Sequence, residues 1–198
     1  MRHLKTALLP LAALAALSAC ATGPGGTDVT RFHVNAPMSQ GTVFLEPVRE
    51  DRVGTLEFNQ YRDAIAAELA AAGFTPVRTK TGADLVGRID YGQTTREGLP
   101  GRSPVSVGVG GGTAGRNVGI GLGTVFGLGK KKNNDVAVST LELRMVRTAD
   151  NSPVWEGRAV TEAREETEEA ALSAAIPALA RDLLRDFPGE SGETVRYE

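Results

Sequence analysis

The chain runs DVAVSTLELRMVRTADNSPVWEGRAVTEA from residue 135 to residue 163, and this stretch decides the fold. Apolar side chains alternate with polar ones over residues 135–147 and again over residues 154–163, as expected of strands with one buried face. The connecting residues, 148–153, are few and rich in turn formers. The stretch therefore predicts a long antiparallel β-hairpin.

Helical periodicity flanks this hairpin on both sides. Upstream, residues 58–72 place apolar side chains three and four positions apart, and Gly73 follows as a C-cap. Downstream, residues 165–187 have the same period, with glutamates first and arginines last, an order that complements the helix dipole. We interpret the glutamates as a solvated helix start, with a cation site as the alternative. Pro177 predicts a kink or a restart of this helix near Ala174.

Shorter segments predict the remaining strands. Residues 30–35 alternate, with Phe32 and Val34 on one face and Arg31 on the other, so we expect a half-buried strand. Three further strands are expected at residues 42–48, 74–79 and 84–94. The order of elements predicts an α+β fold with a largely antiparallel sheet, two helices packed on one face, and a Gly-rich hairpin or loop.

Length and composition favour one folded domain. The 198 residues have 41% hydrophobic and 23% charged side chains, which is typical of a globular protein. The formal net charge of −2 disfavours a nucleic-acid partner. We place the domain at residues 30–187 and expect residues 188–198 to form a loose tail, because they lack an apolar run.

The first 20 residues predict export and lipid modification. Arg2 and Lys5 precede an apolar run of about a dozen residues, which is too short for a spanning helix of about 20 residues. Leu17-Ser18-Ala19-Cys20 then resembles the lipobox of bacterial lipoproteins, in which the cysteine is acylated. Because Cys20 has no second cysteine to pair with, a disulfide is excluded. We therefore predict a signal peptide at residues 1–19 and a lipidation site at Cys20.

The residues after Cys20 predict where the chain is anchored. In the lipoprotein pattern an Asp after the cysteine favours the inner membrane, and this chain has Ala21 instead. The resemblance thus implies the periplasmic face of the outer membrane. Residues 20–29 are rich in glycine and predict a flexible tether, which at ~3.5 Å per residue would reach about 30 Å.

Several motifs follow one another in a characteristic order. After the lipobox come Leu69 to Gly73, then Ala83-Asp84-Leu85-Val86, a glycine-rich stretch, and Pro153-Val154-Trp155-Glu156-Gly157. In this order the chain resembles a family of bacterial lipoproteins catalogued as domain of unknown function 4136. The resemblance covers most of the chain after residue 20. It implies an α+β envelope domain without established activity or catalytic residues.

Residues 98–132 form a glycine-rich insertion. Residues 98–129 hold 12 of the 24 glycines, and valines alternate with glycines over part of this segment. The pattern is compatible with either a hairpin or an unstructured loop. Gly110, Gly112 and Gly115 have the spacing of a dinucleotide-binding loop, but the residues that follow do not begin a helix. We interpret the insertion as a surface for self-association or for an envelope protein partner.

The polar residues do not predict catalysis. His33 is the only histidine after the predicted signal peptide, and it has no cysteine with which to build a zinc site. Asp84 and Asp90 are expected on one strand about 20 Å apart, too far for an acid/base pair. Trp155 is expected in the core. We therefore predict an envelope interaction or structural module that is not an enzyme and has no cofactor or metal, with a small-ligand or lipid-binding module as the alternative.

Overall fold

The structure is a computed structural model that describes residues 25–34, 40–97 and 135–198. Its strands are β1 (Thr27–His33), β2 (Thr42–Pro47), β3 (Thr75–Val77), β4 (Leu85–Arg96), β5 (Val136–Arg147), β6 (Pro153–Arg164) and β7 (Thr194–Tyr197). Its helices are α1 (Leu56–Ala71) and α2 (Leu172–Leu184), with short 3-10 helices at Glu50–Arg52 and Glu168–Ala170.

The described strands form one sheet in the order β3-β2-β4-β5-β6-β1-β7. Strand β2 is parallel to β3 and β4, while the other neighbours are antiparallel. The predicted α+β fold with a largely antiparallel sheet is confirmed. The predicted hairpin is β5 and β6, and its turn includes Asn151 at a φ of 59°, a conformation that asparagine adopts more readily than most residues.

The hydrophobic core lies between one face of the sheet and the two helices. Helix α1 begins where the Thr55 side chain accepts a 3.1 Å hydrogen bond from the Phe58 N–H, and it ends before Gly73 at a φ of 96°. All eight side chains that most clearly mark the apolar faces in the sequence are buried: Leu69, Leu85, Leu141, Leu143, Trp155, Ile176, Leu179 and Leu183. The periodicity therefore identified the faces of both helices and of the central strands correctly.

The faces of β1 are the reverse of the prediction. Val29 and Arg31 are buried, whereas Phe32 is 55% exposed and Val34 is 43% exposed. The arginine is buried because the end of α2 supplies acceptors for its guanidinium group. Alternation alone could not show which of the two sets faces the helices.

Both ends of the domain extend beyond the predicted boundaries. The tether was predicted to continue to residue 29, but β1 starts at Thr27. The tail at 188–198 was predicted to be loose, but it contains β7, which pairs with β1 from Thr27↔Tyr197 to Thr30↔Thr194. The tail prediction was wrong because the short polar strand β7 takes its stability from pairing with the distant β1. The tether prediction was wrong because Thr27 and Asp28 already pair with β6.

The second helix also differs from the prediction. Strand β6 continues to Arg164, and the glutamates that follow lie in a turn and the 3-10 helix Glu168–Ala170. Helix α2 therefore begins at Leu172, with no acidic residue in its first turn. It continues through Pro177 and does not restart near Ala174.

Candidate functional site

One end of the sheet, which we call the anchor end, holds the described residues that flank the predicted lipidation site and the glycine-rich insertion. At this end β4 finishes with Arg96, which pairs with Val136 at the start of β5, and Val136 pairs with Arg164 at the end of β6. Strand β1 enters at the same end, with Thr27 opposite Thr161. The predicted lipidation site Cys20 and the glycine-rich insertion lie outside the described residues, but both connect to the sheet here.

The first described residues are fixed to the anchor end. The Gly25 carbonyl accepts a 2.6 Å hydrogen bond from Arg196 Nη2, and the Gly26 carbonyl accepts one of 3.0 Å from the Thr161 hydroxyl. Gly26 has a φ of 90°, and a Cβ there would lie 2.8 Å from the Tyr197 carbonyl oxygen. Because only five peptide steps separate Cys20 from Gly25, they span at most about 18 Å.

The sheet face opposite the helices, called the open face, carries charges of alternating sign. Across β5 and β6, Arg144 Nε lies 2.8 Å from Glu156 Oε1, and Arg158 Nε lies 3.5 Å from Glu142 Oε1. Further ion pairs in the described part of this face are Arg88 with Glu46, Arg96 with Glu162, and Arg196 with Asp28. Such exposed pairs add little stability, but they keep the face hydrophilic.

The carboxyl groups with lowered pKa values stabilise turns and strand ends. Hydrogen bonds from the Thr42 hydroxyl and N–H hold the pKa of Asp84 below its ordinary value and join the starts of β2 and β4. The hydroxyl and N–H of Ser152 do the same to the pKa of Asp150 in the β5–β6 turn. Asp84 is held by Thr42 of β2 and Asp150 by Ser152 of its own turn, so both pKa shifts have a structural cause.

A cluster at the beginning of α1 surrounds Tyr91 of β4. The Arg52 guanidinium lies 3.8 Å from the centroid of the Tyr91 ring, and Arg52 Nη1 donates a 3.0 Å hydrogen bond to Asp90 Oδ1. Tyr61 contacts Tyr91 edge to face, with 4.9 Å between ring centroids. Burial raises the pKa of both tyrosines, and the Glu57 carboxylate raises it further. The cluster keeps the loop after β2 beside Tyr91.

The other polar residues singled out in the sequence lie apart. Asp84 binds Thr42, whereas Asp90 binds Arg52, so the structure does not bring the two carboxylates together. His33 Nε2 lies 3.2 Å from the Gly189 carbonyl oxygen. Trp155 is buried as predicted, and its Nε1–H donates to the Pro188 carbonyl at 3.0 Å.

The described part of the chain has neither a membrane-spanning helix nor a metal-binding cluster. Neither α1 nor α2 is long and apolar enough to cross a membrane. Within residues 25–34, 40–97 and 135–198, histidine and acidic side chains form no group of three that could hold a metal ion.

Two features were missed by the sequence analysis. One is the buried Arg31, which alternation assigned to a polar face. The other is the outer edge of β4. Its neighbour β2 is six residues long and β4 is 12 residues long, so β4 extends past the end of β2. Unequal strand lengths were visible in the sequence, but nothing there showed that these two strands pair.

A family model and a curated relative each match most of this chain. The family model described as "Domain of unknown function (DUF4136)" matches residues 29–189. An uncharacterized protein of Zymomonas mobilis is 29% identical over 93% of this chain and 84% of its own length.

Solved structures show more distant similarity. A DUF4136 family protein from Bacteroides thetaiotaomicron has 13% identity and a TM-score of 0.41, with 78% of this chain and 92% of that chain covered. The PelC dodecamer from Paraburkholderia phytofirmans has 10% identity and a TM-score of 0.42, with 80% of this chain and 94% of that chain covered.

Proposed function

Since the chain belongs to the family described as a domain of unknown function, DUF4136, we propose its role from its own residues: it is a lipoprotein of the outer membrane, anchored through Cys20, whose α+β domain works in the periplasm as an interaction or structural module. Its activity is binding or assembly rather than catalysis. Its partners are the lipid bilayer and an envelope protein or a second copy of the chain.

The observation that carries this proposal is the short distance between the lipobox and the folded domain. Gly25 and Gly26 are already hydrogen-bonded to β6 and β7, so the connection from Cys20 is at most about 18 Å long. Each buried methylene of an acyl chain adds about 0.8 kcal/mol to membrane binding, and two or three chains make the anchor stable. Such an anchor holds the anchor end of the sheet close to the bilayer and directs the β5–β6 turn away from it.

The packing of the domain supports surface contacts as its mode of action. Trp155, Ile176 and Leu179 are at most 1% exposed and fill the space between the helices and the sheet. A carrier of small apolar ligands needs a cavity in such a place. The charged side chains of β5 and β6 on the open face are instead 46–60% exposed and accessible to a partner.

Cys20→Ala tests the anchor, and Ala21→Asp is its matched control. Acylation of the full chain is measured by mass spectrometry, and its location by separating inner and outer membranes on a density gradient. We expect Cys20→Ala to lose acylation and to leave the membrane fractions. Ala21→Asp should keep the lipid and move the chain toward the inner membrane. Unchanged membrane retention of the Cys20→Ala chain, or acylation at another residue, would contradict the proposal.

A further inference from the structure

Among the described residues, no strand pairs with the outer edge of β4 over half its length. Strand β2 pairs with β4 only from Val43↔Leu85 to Pro47↔Ile89, and β4 continues to Arg96. We call the unpaired edge of residues 91–96 the free edge. The other side of this segment is fully paired with β5.

The hydrogen-bond pattern shows which groups the free edge presents. The Val48 N–H donates a 2.9 Å hydrogen bond to the Ile89 carbonyl, so Ile89 points its main-chain groups toward β2. Because strand residues alternate, Tyr91, Gln93 and Thr95 point theirs outward in the same direction. The Tyr91 N–H donates to Asp90 Oδ1 at 3.0 Å. Within the described residues, the N–H and C=O groups of Gln93 and Thr95 on this edge have no partner.

The two outermost strands of the sheet carry features that protect them against further pairing, and the described residues of the free edge carry none of these features. Strand β3 is only three residues long and contains Pro76. Strand β7 is four residues long and carries Arg196, which binds Asp28. By contrast, residues 92–95 are Gly-Gln-Thr-Thr, without a charge or a proline. An edge of this kind favours the addition of another strand.

We propose that the free edge of β4 pairs with the same edge of a second copy of this chain, antiparallel and centred on Gln93. In this register the two Gln93 residues face each other and exchange N–H···O=C bonds across a two-fold axis. Thr95 lies opposite Tyr91 of the second copy, and the Thr95 N–H donates to the main-chain carbonyl of that Tyr91. By the two-fold symmetry, the Thr95 N–H of the second copy donates to the Tyr91 carbonyl of the first. The pairing rests on the proposed function, whose second-copy partner it specifies, and it needs neither the lipid nor an envelope protein.

Charge complementarity selects both the occupant and the register. With Gln93 at the centre, Arg96 lies opposite Asp90 of the second copy on the open face, at a Cβ separation of about 5 Å. Within the chain Arg96 binds Glu162 and Asp90 binds Arg52, and the side chains of Arg96 and Asp90 are still 62% and 41% exposed. The contact between copies would therefore join these two ion pairs into one network. A register centred on Thr94 would instead place Arg96 opposite Gly92, without a charge partner. A second copy thus supplies both the main-chain groups and the opposite charges.

The loop after β2 supplies apolar contacts beside the free edge. Val48, Val53 and Leu56 are 56%, 67% and 88% exposed, and Arg52 keeps this loop against Tyr91. In the proposed register, β4 of the second copy ends beside this loop and can cover these three apolar side chains. Burial of such apolar surface favours association.

Sedimentation velocity on the full chain carrying Cys20→Ala tests the pairing without the lipid. We expect a concentration-dependent dimer. Arg96→Glu should raise its dissociation constant at least tenfold, because glutamate would face Asp90 of the second copy. Thr95→Pro should do the same, because proline removes an outward N–H. The matched controls are Glu162→Gln, which removes the partner of Arg96 within the chain, and Thr194→Pro on the β7 edge; both should leave the dimer intact.

A disulfide tests the register. In the Cys20→Ala chain, Gln93→Cys introduces the only cysteine at the two-fold axis, within the Cα separation of about 4.4–6.8 Å that a disulfide needs. Mild oxidation should link two chains through Gln93→Cys but not through Thr95→Cys. A monomer at all concentrations, a dimer unchanged by Arg96→Glu, or equal cross-linking at both positions would overturn the proposal. Arg96→Glu changes an exposed side chain, so circular dichroism should show an unchanged fold.

Discussion

Arg31 in β1 donates a 3.0 Å hydrogen bond from Nε to the main-chain carbonyl of Leu183 in the last turn of α2. Its Nη2 donates to the carbonyls of Asp182 and Arg185 at 2.8 and 2.9 Å, and Nη1 donates to the Tyr197 hydroxyl at 3.2 Å. The last carbonyls of a helix lack partners within the helix and carry its negative dipole end. The buried guanidinium therefore joins β1, α2 and β7 at one point.

Replacing Arg31 with methionine should lower the free energy of unfolding by about 3 kcal/mol, because buried carbonyls at the end of α2 lose their charged donor. Urea denaturation followed by circular dichroism measures the change. Arg158→Met is the matched control, since Arg158 lies on the open face with a side chain that is 60% exposed. Equal losses in the two variants would show that the α2 carbonyls do not depend on Arg31.

Two glycines in the strands on either side of β5, Gly92 in β4 and Gly157 in β6, should respond oppositely to alanine. A Cβ at Gly157 would collide with the Trp155 ring and would lie 2.8 Å from Leu183 Cδ1, whereas a Cβ at Gly92 meets nothing within 4 Å. Gly157→Ala should destabilise the fold by about 1–3 kcal/mol through overpacking. Gly92→Ala should leave the melting temperature unchanged or raise it. A stable Gly157→Ala variant would mean that the Trp155 ring can move away.

Asp84→Asn should make stability less dependent on pH. The pKa of Asp84 is lowered in the folded chain by its hydrogen bonds from Thr42, so its contribution is present above the ordinary carboxyl range near pH 4. That contribution is lost as the pH falls through the lowered pKa. The melting temperatures of the two proteins should therefore differ most at neutral pH and converge in acid. Asp63→Asn, an exposed change on α1, is the control and should show no such convergence.

The domain should fold without most of its glycine-rich insertion. Arg96 and Val136 are paired neighbours in β4 and β5, so a short Gly-Ser linker in place of residues 103–131 can still join the two strands. We expect the far-ultraviolet circular dichroism spectrum to keep its sheet and helix signals and the melting transition to stay cooperative. Loss of the cooperative transition would show that the insertion belongs to the core.

The sequence alone was sufficient for the elements whose signal is local. Alternation over residues 135–163 predicted the β5–β6 hairpin, and the three- and four-residue spacing together with Gly73 predicted α1. These patterns are reliable because each residue's face is set by the geometry of its own strand or helix. The eight core side chains named above lie on the predicted faces for the same reason.

Only the tertiary structure decided the features that depend on distant partners. Arg31 is buried because α2, more than 140 residues later, ends beside it with free carbonyls. The segment Thr194–Tyr197 becomes a strand because β1 offers it an edge. The free edge of β4 exists because β2 pairs with β4 and ends first. In each case the deciding hydrogen bonds join residues far apart in the chain, and no local pattern records them.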